Sequence, residues 1–436
     1  MEDGGLSRFE HDEMRDLVLA GTQRIRPEAA RRLRLAAAGV TLLLVGALVG
    51  GVATGALRAP TTPPAVVTGV PAPRATVWKG WVAFSAGKGD GDIYLVKEGS
   101  PARRILGSDT DDVEQACPAF SPDGARLASG QLADDGSGGS NAALVITELS
   151  ADGEPSGTTT LALDGLTAEP CPIWSADGRW LAFGADTDGQ NVSQVWVVDT
   201  ETNDIRRLTG LPATDLEWSP IASELFIAHD GITVYSTSTD TARYVDGALG
   251  ATALAVSPDG RSLAVQHRDT TGTGNGSVDL LLMRVDGSDQ RLLVSGYRVG
   301  FGIGPIWSPD GNRVAFQRLC DSYVDVSGTD RACLEEHVVV VVAVNDHDPL
   351  GPSGTQTVIA PPRTFGGQWR QWFPYSVSWS PDSLTLLYVA WTNPGDGILA
   401  VPVDGTTPPV VFNNALGVAG RSGDPWNTFQ SWSTQP

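Results

Sequence analysis

The sequence predicts an all-β protein built as a closed ring of similar sheets, and three observations support this prediction. A tetrapeptide, Ser-Pro-Asp-Gly, recurs between short apolar segments. The composition includes 51 Gly and 29 Pro, and 41% of the residues are hydrophobic, which disfavours both a helical and a disordered chain. A second apolar segment follows each tetrapeptide, so the repeated unit is longer than the motif itself.

The tetrapeptide has the residues of a tight turn. Pro presets φ at the second position, Asp can bond nearby backbone amides, and Gly accepts the left-handed conformation. The residue before the serine is Trp in most copies and Phe or Val in the others, which predicts a large apolar contact between sheets. We therefore interpret the motif as structural and not catalytic. Intact copies begin at Ser121, Ser257 and Ser308, and degraded copies at Ser175, Ser219 and Ser380.

Each repeated unit predicts four antiparallel strands, one before the turn, one directly after it and two more beyond. The second strand recurs from residues 81–84 to residues 386–389, but the first copy has no motif strand before it. The matching strand stands at residues 429–433. We predict a seven-bladed β-propeller in which this C-terminal strand completes the first blade, since closure removes exposed sheet edges. Six blades is the alternative count.

The order of motifs within a unit also resembles a known repeat. An aromatic residue and Ser-Pro-Asp-Gly are followed by Leu-Ala-Phe, a strand ending in Val-Asp (residues 198–199 and 285–286), and Arg-Leu-Thr (residues 207–209). This unit resembles the TolB-type, WD-like β-propeller repeat over residues 78–436. The resemblance implies the propeller fold but no single function, because such blades serve translocation proteins, peptidases, lyases and scaffolds. TolB-like proteins carry an α/β domain before the propeller, and this chain does not, which weighs against a Tol-system role.

An apolar segment precedes the predicted propeller. Residues 35–57 contain no charged residue, and a helix of that length would reach ~35 Å, enough to cross a hydrocarbon core of ~30 Å. Arginines concentrate before the segment and only Arg58 follows it directly. The positive-inside rule therefore predicts a cytoplasmic tail (residues 1–34), a signal anchor (residues 35–57) and a Pro-rich linker (residues 58–77), with the propeller outside the cell membrane. A cleaved signal sequence is the alternative.

The net charge of −21 lies entirely beyond residue 35, because residues 1–35 carry equal numbers of acids and bases. An acidic surface repels phosphate backbones, which excludes nucleic acid as the expected partner. The simplest interpretation of the charge is solubility.

The longest spacing between motif serines, from Ser308 to Ser380, predicts an insertion in the sixth blade. Aromatic residues and arginines are typical of interface centres and of sugar-binding platforms. We predict a contact surface here, and the alternative is that the rings pack over an enlarged blade. The candidate residues are Arg363, Phe365, Trp369, Arg370, Trp372 and Phe373, together with Tyr375.

Four cysteines in an exported domain predict two disulfides. The first strand of each blade, which ends at the motif serine, is called its inner strand. Cys117 and Cys171 each stand three residues before the aromatic residue of the inner strand in neighbouring blades, which places them side by side. Cys320 and Cys333 flank a polar loop that a disulfide could close. The alternative for both pairs is unbridged, buried thiols.

No metal or cofactor site is predicted. Asp186 and Asp188 resemble the opening of a calcium loop, but no bidentate acid follows in register, so a solvated turn is favoured over calcium. His229 and His267 end equivalent second strands of adjacent blades, a pair that is more often structural than catalytic. A further acidic group consists of Asp109, Asp111, Asp112 and Glu114.

The sequence contains no nucleophile elbow, phosphate-binding loop or cofactor fingerprint. We therefore predict a non-catalytic scaffold that binds an envelope protein or polysaccharide. The first alternative is an envelope carbohydrate-active enzyme, a lyase or glycosidase, with its site at the mouth of the propeller channel. The second alternative is a transmembrane sensor in which binding outside reorganises the cytoplasmic tail.

Overall fold

The computed structural model describes most of the predicted propeller and none of the segment before it. Every described residue lies in the compact unit Ala75–Pro436, so the predicted tail, anchor and linker lie outside the description. Among the described residues, no helix has the length and hydropathy needed to span a bilayer. The described residues are 80–86, 91–97, 100–107, 113–134, 140–163, 165–166, 170–185, 193–268, 277–299, 304–319, 323–324, 330–331, 337–345, 348, 352–359, 377–390, 397–404, 410–413 and 430–432.

Within these residues, the strands form seven four-stranded antiparallel sheets and one two-stranded hairpin. The first three blades contain β1 (Val82–Ala86), β2 (Asp92–Val96), β3 (Arg103–Leu106), β4 (Val113–Phe120), β5 (Arg126–Asp134), β6 (Ser140–Leu149), β7 (Pro155–Ala162), β8 (Ile173–Trp174), β9 (Trp180–Ala185), β10 (Gln194–Asp199) and β11 (Asp204–Pro212). Blades 4 and 5 contain β12 (Asp215–Trp218), β13 (Glu224–Ala228), β14 (Ile232–Ser236), β15 (Thr241–Tyr244), β16 (Ala251–Val256), β17 (Ser262–Arg268), β18 (Ser277–Arg284) and β19 (Arg291–Arg298).

Blade 6 includes the hairpin, and the chain then completes blade 7 before it returns to blade 1. These strands are β20 (Ile306–Trp307), β21 (Arg313–Leu319), β22 (Tyr323–Val324), β23 (Asp330–Arg331), β24 (His337–Ala343), β25 (Gln356–Ile359), β26 (Val377–Trp379), β27 (Thr385–Ala390), β28 (Gly397–Pro402), β29 (Val410–Asn413) and β30 (Gln430–Trp432). The hairpin β22–β23 lies between the second and third strands of blade 6, which places part of the predicted insertion there.

The C-terminal strand closes the ring. β30 pairs with β1, with Trp432 opposite Val82 and Ser431 opposite Ala83, so blade 1 has the order β30-β1-β2-β3. The first strands of successive blades, β30, β4, β8, β12, β16 and β20, contact one another in turn, as do β26 and β30. The seven-bladed prediction is therefore confirmed, and the alternative of six blades is excluded.

The recurring tetrapeptide forms the predicted turn. The hydroxyl of Ser121 donates to Asp123 at 2.5 Å, and the backbone N–H of Arg126 donates to the Ser121 hydroxyl at 2.9 Å. Gly124 takes a φ of 67°, which is the left-handed conformation that glycine adopts without cost. Blades 3, 5, 6 and 7 repeat the Ser-to-Asp bond. The motif serines and aspartates are thus engaged in the turns themselves.

The inner-strand tryptophans join neighbouring blades by a repeated hydrogen bond. In each case the indole N–H donates to the backbone carbonyl of the residue that precedes the aromatic position in the previous blade. Because the donor and acceptor occupy the same repeat positions each time, the bond fixes adjacent inner strands in one register. The bonds are Trp174 to Ala119 (2.9 Å), Trp218 to Ile173 (3.1 Å), Trp307 to Ala255 (3.1 Å) and Trp379 to Ile306 (3.2 Å).

Arginines at the start of second strands form further bonds between blades. The Arg126 guanidinium donates to the carbonyl of Gly178 in the next turn at 2.6 Å, and Arg313 donates to the equivalent carbonyl of Ser383 at 3.1 Å. Arg313 also pairs with Asp348 at 2.6 Å, with 6% and 0% of the two side chains exposed. Such a pair is costly to separate because either charge alone would be buried without compensation.

Apolar clusters fill the spaces between adjacent blades. Leu144 of blade 2 and Phe183 of blade 3 belong to one cluster, and Phe226 of blade 4 and Leu263 of blade 5 to another. Each sheet buries both faces, which is why its central strands are nearly continuous in apolar residues.

The indole bond can be tested with Trp218→Phe and a matched Trp196→Phe control. Trp196 also has a buried indole N–H, but that group has no partner. We expect Trp218→Phe to lower the free energy of unfolding by roughly 1–2 kcal/mol, since it removes a hydrogen bond and leaves its packing largely in place. Trp196→Phe should have a clearly smaller effect. Urea unfolding of the full chain measures both, and equal losses in the two variants would contradict the role assigned to the indole bond.

Candidate functional site at the junction of blades 4 and 5

The structure joins the first predicted cysteine pair in a disulfide. Cys117 on β4 and Cys171 just before β8 are bonded, with their Cα atoms 4.9 Å apart. β4 carries a bulge between Ala116 and Ala119, and Cys117 adopts a φ of 53° within it. This left-handed conformation is unusual for a residue with a β-carbon. The disulfide thus ties the inner strands of blades 2 and 3.

Several predicted site residues lie outside the described residues, so the predictions about them remain predictions. These are Cys320 and Cys333, the aromatic and arginine group Arg363, Phe365, Trp369, Arg370, Trp372, Phe373 and Tyr375, and the acidic residues Asp109, Asp111, Asp112, Asp186 and Asp188.

The two predicted histidines are described. His229 is exposed one residue beyond β13, and His267 lies on β17 opposite Ala251 and Asp279. In the part of the chain that the structure describes, no three His, Cys, Asp or Glu side chains form a group that could hold a metal ion.

A pair of carboxyl groups on the inner strand of blade 4 stands out instead. Leu216 and Trp218 pack into the apolar cluster between blades 3 and 4. Because side chains alternate along a strand, Asp215 and Glu217 project from the opposite face of β12, and Asp215 reaches Leu254 of blade 5. Both residues keep partial access to solvent.

Asp215 has a structural role at this junction. Its Oδ2 accepts the backbone N–H of Leu254 on β16 at 2.9 Å, and its Oδ1 accepts the N–H of Leu216 at 3.0 Å. A Cβ placed on Gly304 of blade 6 would lie 3.3 Å from the same Oδ2 and 2.8 Å from Cβ of Ala253. Three successive inner strands therefore converge around this carboxylate.

Glu217 has no such role. Its carboxyl makes no hydrogen bond or ion pair with any part of the chain that the structure describes. Its partner across the strand pair is Phe226 of β13, which belongs to the apolar cluster between blades 4 and 5. Blades 1, 3, 4, 6 and 7 carry Trp at the repeat position that Val256 holds in blade 5, so blade 5 has no indole at this position to bond the inner strand of blade 4.

The surroundings raise the pKa of both carboxyl groups. Burial raises the pKa of Asp215 to about 6, although the N–H groups of Leu254 and Leu216 favour its charged form. Burial and the nearby Asp215 charge raise the pKa of Glu217 to about 8. By contrast, the bond from Ser121 holds the pKa of the turn carboxylate Asp123 below its usual value. Both carboxyl groups therefore keep a proton to higher pH than exposed carboxyl groups do, and the two titrate as a coupled pair.

A small cavity lies beside this region. Gly304 lines it together with Ile306, Phe316, Gln317 and Val377. It is about the size of one water molecule, and its lining is mainly apolar. Gly304 is therefore shared between the cavity wall and the surroundings of Asp215.

Sequence reasoning missed this carboxyl pair, although the repeat contained a signal for it. Asp215 stands at the repeat position that holds Cys117, Cys171, Ala253 and Gly304 in other blades. Glu217 stands where those blades hold Ala119, Ile173, Ala255 and Ile306. Two acids at positions that are otherwise small or apolar depart from the pattern, and an alignment of the chain's own repeats would have identified them.

Comparison with solved structures finds proteins of similar fold. TolB from Acinetobacter baumannii is 17% identical over 61% of this chain and 62% of that chain, with a TM-score of 0.40. A puromycin-hydrolysing peptidase from Mycobacterium tuberculosis is 17% identical over 63% of this chain and 50% of that chain, with a TM-score of 0.42. A functionally unknown protein from Desulfotomaculum acetoxidans is 12% identical over 76% of this chain and 98% of that chain, with a TM-score of 0.46.

These similarities concern the fold alone. This chain spans less than two thirds of the TolB and peptidase chains named here. No family model matches it, and no curated protein matches it.

The raised pKa values predict that the protein loses stability as pH rises. The folded state holds protons on Asp215 and Glu217 that the unfolded chain releases near pH 4 to 4.5. Their contribution is therefore fully present below that range and is lost as pH rises toward about 8. We expect Glu217→Gln to flatten this decline and to be more stable than the native chain at pH 8 by roughly 1–3 kcal/mol.

Urea unfolding of the full chain at pH 4.5, 6.5 and 8 measures this effect. Glu148→Gln is the matched control, because Glu148 is an exposed residue on β6. It should follow the native pH profile. Parallel profiles for the native chain and Glu217→Gln would contradict the assignment of a raised pKa to Glu217.

Proposed function

We propose that this chain is a single-pass membrane protein whose propeller lies outside the cell membrane and acts as a non-catalytic scaffold that binds an envelope protein or polysaccharide. The uncharged segment 35–57 and the arginines before it support the topology. The Pro-rich linker would hold the propeller away from the membrane surface.

The observation that carries the binding role is the free Glu217 carboxyl on an inner strand. The bonds described above engage the turn serines and aspartates, the indoles and Asp215 within the fold, whereas Glu217 contributes no bond of its own. Glu217 keeps partial access to solvent, so a ligand can reach its carboxyl group. A carboxyl group that makes no bond within the fold, on a rigid, closed ring, is suited to binding, because a preformed site loses little entropy when a ligand arrives.

The predicted aromatic and arginine group of the sixth blade is a second proposed contact region. Trp369 and Trp372 are its largest side chains, and loops on a rigid scaffold commonly carry binding residues. We propose that a macromolecular partner contacts both this group and the channel.

In-cell crosslinking and affinity capture of the full chain test the scaffold role. We expect a specific envelope partner with the native chain and its loss when Trp369→Ala and Trp372→Ala are combined. Tyr244→Ala is the matched control, because Tyr244 is an aromatic residue with 80% exposure on β15, and it should retain the partner. Failure to capture any protein or glycan with the native chain would contradict the scaffold role.

A second candidate function is that of a glycoside-cleaving envelope enzyme. The observation in its favour is that two carboxyl groups, those of Asp215 and Glu217, share one face of β12, and their raised pKa values suit one of them to general acid catalysis of glycoside cleavage. Asp215 already accepts two backbone N–H groups, which leaves it less free to act on a substrate. We therefore prefer the scaffold.

Turnover assays separate the two candidates. If the protein is a glycosidase, the full chain should release reducing ends from an envelope polysaccharide, and Glu217→Gln should reduce kcat by at least ~100-fold. The scaffold proposal predicts no turnover by either form. Glu148→Gln again serves as the control.

A further inference from the structure

We propose that the fourth, outer strand of blade 2, β7, binds an extended segment of a protein partner as an additional strand, and that this segment carries basic residues. This inference adds a binding surface to the proposed scaffold, and it rests on the scaffold role. It takes the partner to be a protein and gives the form in which the partner is recognised.

The free edge of β7 presents unpaired backbone groups. Among the described strands, β7 pairs only with β6. Just beyond β7, the N–H of Leu163 donates to the carbonyl of Ala142 on β6 at 2.9 Å. Because the backbone groups of successive residues point alternately to the two sides of a strand, those of Thr158, Thr160 and Ala162 point away from β6. Within the described part of the chain, these N–H and C=O groups have no hydrogen-bond partner.

The strand is also accessible over its length. Every residue of β7 is exposed except Leu161, which is half-buried. Since side chains alternate along a strand, Thr158 and Thr160 lie on one face, and an added strand would place its own side chains beside theirs. Thr and other β-branched residues pair favourably across strands, so we expect such residues in the partner segment.

The outer strands of the other blades are protected against such pairing. Natural proteins shield sheet edges with charged residues, bulges or short strands. β3, β11, β15 and β19 each contain at least one arginine, and β19 also contains Gly296 with a φ of 62°. β25 and β29 have four residues each. Among the described outer strands, β7 alone combines more than four residues with no charged side chain.

The charge of the domain selects the occupant of this edge. The net charge of −21 lies beyond residue 35, and Asp152, in the turn before β7, is exposed. Arg103 of blade 1 reaches the same turn, but it pairs with Glu154 and donates to the Asp152 carbonyl at 3.1 Å. A second copy of the chain would bring two acidic surfaces together, whereas a basic segment would be attracted. The favoured occupant is therefore a basic segment of a different protein, added as a strand.

Isothermal titration of the detergent-solubilised full chain with peptides tests this proposal. The probe is acetyl-Lys-Thr-Val-Thr-Val-Thr-Lys-amide, used up to millimolar concentration, and its matched analogue has Glu in place of both Lys residues. We expect the basic peptide to bind and the acidic peptide to bind at least ~10-fold more weakly, because like charges repel.

Proline substitutions test the backbone pairing directly. Thr158→Pro combined with Thr160→Pro removes two outward N–H groups, which an edge strand tolerates because these groups make no bond to β6. We expect this variant to bind the basic peptide at least ~10-fold more weakly than the native chain, since two hydrogen bonds are lost. Thr158→Val combined with Thr160→Val keeps both N–H groups and should bind as the native chain does. Urea unfolding establishes that both variants are folded.

Hydrogen exchange measured by mass spectrometry provides a test without substitution. The amides of Thr158, Thr160 and Ala162 should exchange rapidly in the free chain and more slowly with the basic peptide bound. β15 is the control, because it is an exposed outer strand that contains Arg243, and its exchange should not change.

Three results would overturn the inference: no binding of the basic peptide to the native chain, equal binding by the native chain and the folded proline variant, or binding without slower exchange in β7. A native dimer that the proline variant dissociates would assign the edge to a second copy and overturn it as well.

Partner capture distinguishes this failure from failure of the proposed function. A partner that is captured by the native chain and by the proline variant alike would leave the scaffold role intact and refute strand addition at β7. Absence of both peptide binding and partner capture would refute both.

Discussion

The hydrogen bond from an inner-strand indole to the preceding blade is the interaction on which the rest of this propeller depends. Its donor and acceptor occupy the same repeat positions at four junctions. Each bond therefore sets a similar height and rotation between the two sheets that it joins, at four of the seven junctions of the ring. The same four tryptophans also pack in the apolar clusters at these junctions.

The junction of blades 4 and 5 is built differently. Val256 has no N–H to donate, and the strands are joined there by Asp215 to Leu254 N and by the Thr214 hydroxyl to the Thr252 carbonyl at 2.8 Å. Hydrogen bonds from Asp215 and Thr214 thus take the place of the indole hydrogen bond at this junction. That exchange explains why Asp215 is present, but it does not explain Glu217, whose carboxyl adds nothing to the junction. The distinction between the two acids is the structural basis for assigning binding to Glu217.

Most of the architecture could be predicted because each blade carries its own local signals. Pro, Asp and Gly define the turn, Trp marks the inner strand, and the unmatched first unit indicates closure by the C-terminus. The same reasoning predicted the disulfide between Cys117 and Cys171, since both cysteines occupy the same position of the repeat. These features depend on residues close in sequence or on equivalent places in adjacent repeats.

The carboxyl pair could not be found in that way. The environment of Glu217 depends on strands distant in sequence: β8, β9, β13 and β16 pack against β12, and none of these four strands carries a cationic residue. Its raised pKa is a property of packing, and the chain sequence near residue 217 resembles an ordinary strand with two solvated acids. Similarly, the burial of Arg313 with Asp348 depends on how blade 6 meets blade 7.

The pairing of β30 with β1 also affects the folding of the domain during synthesis and its resistance to mechanical force. Blade 1 combines the first and the final described strands, so its sheet cannot form until a ribosome has synthesised every other blade. Contacts between such distant segments are slow to form because the intervening chain must first become ordered. Once formed, the pairing places β1 between two neighbours, and force applied at the N-terminal end of the domain would meet hydrogen bonds on both of its edges. The strand nearest the predicted linker thus has a hydrogen-bonded neighbour on each side.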